Sequence, residues 1–534
     1  MRGWSKGGII CPMNFAMRKA AILLVLTGML LSACGTNLWG TYDPSLTPTP
    51  TSIQTVLADP EPTPTNVVLP LSTTQAATVP PSPTVTPTAA VTPGTPRPTI
   101  VYFSQSGDSL EAVALHFGVQ VSEISSPVSL PTTGLLNPNT PLVIPNRLSQ
   151  TPTTPSRQII PDSELVYSPS AQSFDIEGYV SSAGGNLSTF REPRGNVIIT
   201  GAEVVQLIAF GSSISPRMLL ALIQYHTGWV QGQPKPGVDE IYLLGFHDPL
   251  YPGLYQQLRL IVRELLAGYY GWRDGKLTGL TFPDGTTLRL APDLNAGSVA
   301  LQYMFSRHLN YADWLQAIDP DTGFPALFTS MFGDPWERSL ETGPLFPPDL
   351  TQYTFTLPFE VGALWAFTGG PHPAWEQESA LAALDFAPAA AVSGCVESNA
   401  WVVAIAPGLI VRSGDGYVVL DLDRDGFEQT GWVVLYQHIA TKDRIPAGTL
   451  VDAGARIGHP SCEGGRATGT NVHIARKYNG EWVSAGDPLP FVLSGWNTHY
   501  GSAPYKGTLT KGDQTITAIQ SGTHESQIIR QPGE

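Results

Sequence analysis

The chain is short of positive charge and of cysteine, and its one N-terminal apolar run is brief. Each shortage removes a class of function. The 534 residues hold 29 Lys+Arg against 44 Asp+Glu, a formal net charge of -15. A phosphate backbone is bound through clustered cations that release counterions, so nucleic acid is excluded as a partner. Only 4 cysteines are present, and their spacing excludes a C-x-x-C metal site. The apolar run from Ala20 to Leu31 falls short of the roughly 20 residues that a membrane-spanning helix needs.

What is abundant is proline, 49 residues with a dense early cluster. Such clustering marks linkers, and a chain of this length needs several modules, each with its own core. Arg18 and Lys19 precede the apolar run, which ends in Leu31-Ser32-Ala33-Cys34. This resembles a bacterial lipoprotein signal, which implies cleavage and acylation of Cys34, with the residues before Met13 or Met17 being an over-called start. The alternative is a plain signal peptide. Residues 35–98 are a Pro/Thr-rich tether that cannot bury enough apolar surface to offset its ordering entropy. On the oxidising exterior, Cys395 and Cys462 are expected to form a disulfide, two separate buried thiols being the alternative.

Residues 99–147 read as a compact unit: a strand at Ile100 to Phe103, a cap at Ser106-Gly107-Asp108-Ser109, a helical pattern at Leu110, Val113 and Phe117, and a strand at Leu142 to Pro145. The stretches SQSGDSLEAVALHFGVQVSEI and LNPNTPLVIPNRL resemble the LysM module. The resemblance implies a βααβ fold that holds the N-acetylglucosamine backbone of peptidoglycan in a groove between its two strand-helix loops. His116 reads as a packing or surface residue, and Ser125-Ser126-Pro127 interrupts the second helix.

After a linker at 148–164, residues 165–345 are helix-rich. Ser215 caps and Pro216 opens one helix, with Leu219, Leu220 and Ile223 recurring at helical spacing. Leu254, Leu258, Ile261, Leu265 and Leu266 stripe another. The first helix runs into His226-Thr227-Gly228, which resembles the helix end of soluble lytic transglycosylases with His226 in place of their glutamate. A neutral imidazole does not replace a general-acid carboxyl. The region therefore reads as a non-catalytic domain, glycan-associated or a helical spacer.

From Phe355 onward, short apolar runs separated by glycines predict an antiparallel β domain, assigned to residues 346–498 with a tail at 499–534. Three segments hold metal-type side chains: His372 with Asp385, then His438, then Asn471 with His473. A catalytic zinc site needs three protein ligands and one open position, and His372, Asp385 and His473 supply such a set. Asn471 and His473, two apart on a strand, share a face. The stretches GGPH, ALDFAP, YQHIA, GTLVDAGARIG and TGTNVHI, in this order, resemble the lysostaphin/LytM family of zinc endopeptidases, in its β-lytic, staphylolytic branch. That resemblance makes His372, Asp385 and His473 the zinc ligands and His438 a catalytic histidine. It implies hydrolysis of peptide bonds in peptidoglycan. At position 471 the family has a second catalytic histidine where this chain has asparagine, which cannot carry a proton.

Asp421, Asp423 and Asp425 lie in a loop with a calcium-like spacing, but Trp432 occupies the twelfth position, so a polar hairpin turn is expected. His459 reads as structural, and His499 and His524 carry no pattern. The whole is a multidomain α+β protein, extracytoplasmic and lipid-anchored to the cytoplasmic membrane, acting on peptidoglycan with zinc. A non-hydrolytic wall-binding scaffold or regulator of other hydrolases is the rival reading.

Overall fold

The computed structural model describes residues 98–375, 377–390 and 393–534. The signal, Cys34 and the tether up to residue 97 lie outside the described residues. Among those described, no helix is long and apolar enough to cross a membrane.

The first unit pairs the strands Thr99–Phe103 and Pro141–Pro145 antiparallel, with the helix Leu110–Phe117 between them. Ser109 caps this helix by accepting from Ala112, and Gly118 closes it in the left-handed region. A second helix is expected here, but the chain makes only a 3₁₀ turn at Val121–Glu123. Ser125 then pairs with Val143, so the backbone has already gone extended before Pro127. Val113, Phe117, Leu136, Leu142 and Ile144 form the unit's own core.

The middle region is helical, and its apolar stripes pack as their spacing requires. Pro216–Thr227 buries Leu219, Leu220 and Ile223, while Gly253–Arg273 buries Leu258, Ile261 and Leu265. Ser215 stands at the N-cap position but its hydroxyl bonds nothing there, being buried without a partner. Pro216 carries the helix start alone. The preceding helix, Gly201–Ser212, has the full reciprocal cap, Thr200 with Glu203.

The C-terminal region is built on an antiparallel sheet. Its strands run in the spatial order Leu450–Val451, Gly408–Gly414, Tyr417–Asp421, Trp432–Gln437, Val472–Tyr478, Ala383–Pro388, Leu364–His372 and Gln527–Ile529. Both faces are buried. Val418, Leu420, Val434, Tyr436 and Ile474 enter one core, while Val419, Val433, Leu435 and Ala475 face the helical region and share its core. This double burial is why the strands read as nearly unbroken apolar runs. It also joins the middle region and the sheet: Trp482 donates through its indole to Ser212, and the Tyr270 hydroxyl accepts from the Trp482 amide. Against this shared face lies a buried cluster in which Glu428 bonds Arg412 and Lys477.

Residues 499–534, set apart by sequence as a tail, fold back onto the domain. Gly507–Lys511 and Gln514–Thr517 form a small sheet with Asn497–Tyr500, and Gln527–Ile529 pairs with Leu364–Ala366 as the edge of the main sheet. The glycines, threonines and lysines of this stretch hide the weak alternation that Leu509, Ile516 and Ile528 carry inward.

Candidate metal centre

Three neighbouring strands bring the site together. Asp385 lies opposite His473 in one strand pair and opposite Gly369 in the next, and His372 ends the strand that begins at Leu364. Gly369 has a local reason. A Cβ there would lie 2.5 Å from Oδ2 of Asp385, so only glycine leaves room for the carboxylate to turn toward the histidines.

His372 Nε2 lies 3.0 Å from His473 Nδ1, and Asp385 Oδ1 lies 3.3 Å from each. Zinc bonds of about 2.0–2.1 Å in tetrahedral geometry place neighbouring ligand atoms about 3.3 Å apart, so this triangle has the size of one face of such a site. The opposite ring atoms fix the tautomers. His372 Nδ1 is 2.8 Å from the Gly370 carbonyl and His473 Nε2 is 3.1 Å from the Ala374 carbonyl. Each carbonyl needs an N–H, which leaves a lone pair on each of the two nitrogens that face one another. Two lone pairs at that distance repel unless a cation lies between them. Asp385 Oδ1 is buried and has no hydrogen-bond partner. The donor set, two nitrogens and one carboxylate oxygen, fits zinc.

His438 follows the strand Trp432–Gln437 with φ of 66°, a conformation rare outside glycine, which turns its side chain toward the ligands. Its ring centroid is 6.2 Å from that of His473. Nδ1 donates to the Glu463 carbonyl at 2.8 Å, leaving Nε2 free to accept. Burial pushes its pKa down to about 4, with the nearby His473 adding to the effect, so the ring is neutral near pH 7. Asn471 pairs with Ser461 across a bridge, and its Nδ2 donates to the Gly469 carbonyl at 2.8 Å. Its Oδ1 is buried without a partner.

The disulfide between Cys395 and Cys462 is present, with Cα atoms 5.8 Å apart. Thr470, next to Asn471, donates its amide to Gly394, next to Cys395, so the bridge braces the segment entering Asn471. A cavity of about 310 Å³ opens beside it, lined by both cysteines, Glu397, Lys442 and Glu463.

One neighbour of the site has no signal in the sequence. Tyr505 stacks on His372, with ring centroids 4.1 Å apart and planes at 20°, and its backbone bonds Gly370 and Pro371. It lies in the segment set apart as a tail. Of the other histidines, His459 bonds the Ala400 carbonyl and lies against Trp401 with the ring planes tilted by 40°. His226 is half-buried, its enclosed Nε2 lacks a partner, and desolvation pushes its pKa down to about 4. Asp421, Asp423 and Asp425 sit close enough to share an ion, in the turn between two hairpin strands. Asp421 there accepts from backbone amides of its own loop, including Gly426.

Residues 158–346 match the model of the LasA N-terminal domain. The helix end at His226 therefore belongs to a region matching a different family from the transglycosylases. Protease LasA of Pseudomonas aeruginosa (strain UCBPP-PA14) is 24% identical over 344 residues, 60% of this chain and 74% of the relative. The similarity is to a protease. Among solved structures, the M23 metalloprotease pseudoalterin from the deep sea is 22% identical, with 32% of this chain and 96% of that chain covered and a TM-score of 0.27. The catalytic domain of lysostaphin from Staphylococcus simulans is 23% identical, with 24% and 89% covered and a TM-score of 0.17.

Proposed function

We propose that this protein is a zinc-dependent endopeptidase of the LasA/lysostaphin type that hydrolyses peptide bonds of peptidoglycan. The observation that carries this reading is the triangle of His372, Asp385 and His473, whose free electron pairs converge on one point. Bound there, zinc supplies Lewis acidity for a peptide carbonyl and lets water act as a nucleophile at neutral pH. The protein's own residues do the rest. The carbonyls of Gly370 and Ala374 hold the two rings in the tautomers that present a lone pair. His438, neutral and with Nε2 free, accepts the proton that water gives up and returns it to the leaving amine. Asn471 offers an amide N–H toward the charge that develops on the carbonyl oxygen, in place of a group that could titrate. The test is release of peptide amino termini from purified peptidoglycan in step with zinc loading.

Asn471 also favours a second reading, in which the site binds zinc but turns over slowly and the chain serves as a wall-binding scaffold or a regulator of other hydrolases. Replacing Asn471 by histidine separates the two, since only the peptidase gains rate.

The unit at 99–147 is a LysM module that holds the glycan of the same polymer, and Cys34 is the lipid attachment point on the outer face of the cytoplasmic membrane. Two or more acyl chains give lasting attachment where one gives marginal binding. Cys34→Ser with processing intact should move the protein to the medium. Continued membrane fractionation of that variant rules the anchor out.

A further inference from the structure

We propose that the 99–147 module is latched: the loops assigned to glycan are packed against the rest of the chain, so that docking and glycan capture exclude each other. The inference rests on the glycan-binding reading given above. The loop after the first strand, Ser104 to Ser109, faces the helical region. Gln105 Nε2 donates to the carbonyls of Asp293 and Leu294, both at 3.1 Å, and Ser106 Oγ accepts from the Phe346 amide at 2.8 Å. The second loop meets the segment that leads into the β domain. Asn137 donates to the Asp349 carboxylate at 3.0 Å and accepts from the Asp349 amide at 2.8 Å, while Leu135 packs on the cluster of Phe346, Trp432 and Val483.

Arg273 ties the three parts together. It donates to the Ser106 carbonyl at 2.6 Å, to Asp162 at 2.9 Å and to Glu481 at 2.9 Å, so one buried guanidinium joins the module, the helical region and the sheet. The contact is shaped by glycine on both sides. A Cβ on Gly107 would lie 2.4 Å from the Arg273 guanidinium, and one on Gly275 would lie 2.7 Å from Leu115 and 3.0 Å from the Ala112 backbone. His116 completes the joint, stacked on Trp272 with centroids 3.5 Å apart and bonded to the Trp272 carbonyl. The outward strand face, with Val101 and Phe103 more than half exposed, remains open. A glycan strand that enters the loops must break the contacts at Phe346, Asp349 and Arg273, and so frees the module from the catalytic region.

The experiment uses the full chain and a soluble N-acetylglucosamine pentamer, with binding followed by calorimetry. Gly275→Asn opens the latch without touching either loop, because asparagine tolerates the φ of 69° while its side chain collides with Leu115. The amides of Phe346 and Asp349 report undocking by hydrogen exchange, since each donates to the module. The variant should bind the pentamer at least tenfold more tightly than wild type, and pentamer should speed exchange of both amides in wild type. Equal affinity in the two proteins overturns the latch and leaves the glycan reading standing. No binding to either, with both amides exchanging fast in the variant, overturns the glycan reading itself. Should Gly275→Asn not fold, Asp349→Ala, which removes the bond from Asn137, is measured in the same way and with the same outcomes.

Discussion

His372 Nε2 and His473 Nδ1 face each other across 3.0 Å, each with its remaining ring nitrogen committed to a backbone carbonyl. Neither ring can donate to the other while both are neutral, so the pair needs a cation between them. Removing zinc with a chelator should therefore destabilise the fold as well as stop the reaction. The expected sign is a melting temperature that falls on chelation and recovers with zinc. Asp385→Asn, which lacks the anionic oxygen, should melt at the same temperature with or without chelator.

The residue at 471 sets rate and not metal content. A charged imidazole donates a hydrogen bond roughly twice as strong as a neutral amide does, and one oxyanion donor or acid-base group is worth about ten to a thousandfold. Asn471→His should raise peptide release within that range at unchanged zinc stoichiometry, measured by elemental analysis beside the kinetics. His438→Ala should abolish whatever release wild type shows.

His372, Asp385, His438 and His473 could be singled out because the stretches GGPH, ALDFAP, YQHIA and TGTNVHI stand in the order that the resemblance to the lysostaphin/LytM family implies. Tyr505 was not, since a tyrosine among glycine, serine and proline says nothing about which strand end it will return to. The module's docking was equally hidden. Gly107 stands in the cap Ser106-Gly107-Asp108-Ser109 and nothing in the sequence marks Gly275, so only the approach of Arg273 and Leu115 shows what each leaves room for. What the sequence did not show is how the two regions meet: Val419, Val433 and Leu435 look like core of their own domain but complete the core of the helical region.

That shared face carries its own test. Glu428 bridges Arg412 and Lys477, and all three are buried. Removing its charge takes the shared anion away from two buried cations, at a cost of about 3–5 kcal/mol. Glu428→Gln should lower denaturant stability by that order, whereas a change at exposed Glu397, paired with Lys442 in full contact with solvent, should leave the denaturant midpoint nearly unmoved.

The disulfide closes a loop with a sequence separation of 67. Its removal by paired Cys395→Ala and Cys462→Ala should cost about 4 kcal/mol on the chain-entropy account. The loss should be visible as a lower denaturant midpoint and as faster proteolysis between residues 393 and 470.

His116 gives the stability a pH dependence of known sign. Burial against Trp272 pushes its pKa from 6.5 down to about 3, so below pH 6.5 the unfolded chain holds a proton that the folded chain does not. Its contribution is fully present above pH 6.5 and is lost as the pH falls toward 3. His116→Phe keeps a ring on Trp272 without the titration. Between pH 6 and 4, wild type should take up about one more proton on unfolding than the variant does, read from the slope of stability against pH.

The most direct test of the central claim is zinc-dependent release of amino termini from purified peptidoglycan by the full chain. The account predicts that release rises with added zinc up to one equivalent per chain, and that Asp385→Ala neither holds the metal nor releases peptide. The contrary result is one equivalent of zinc bound with no release by wild type or by Asn471→His from any peptidoglycan tested. In that case the hydrolase reading falls and the wall-binding scaffold takes its place.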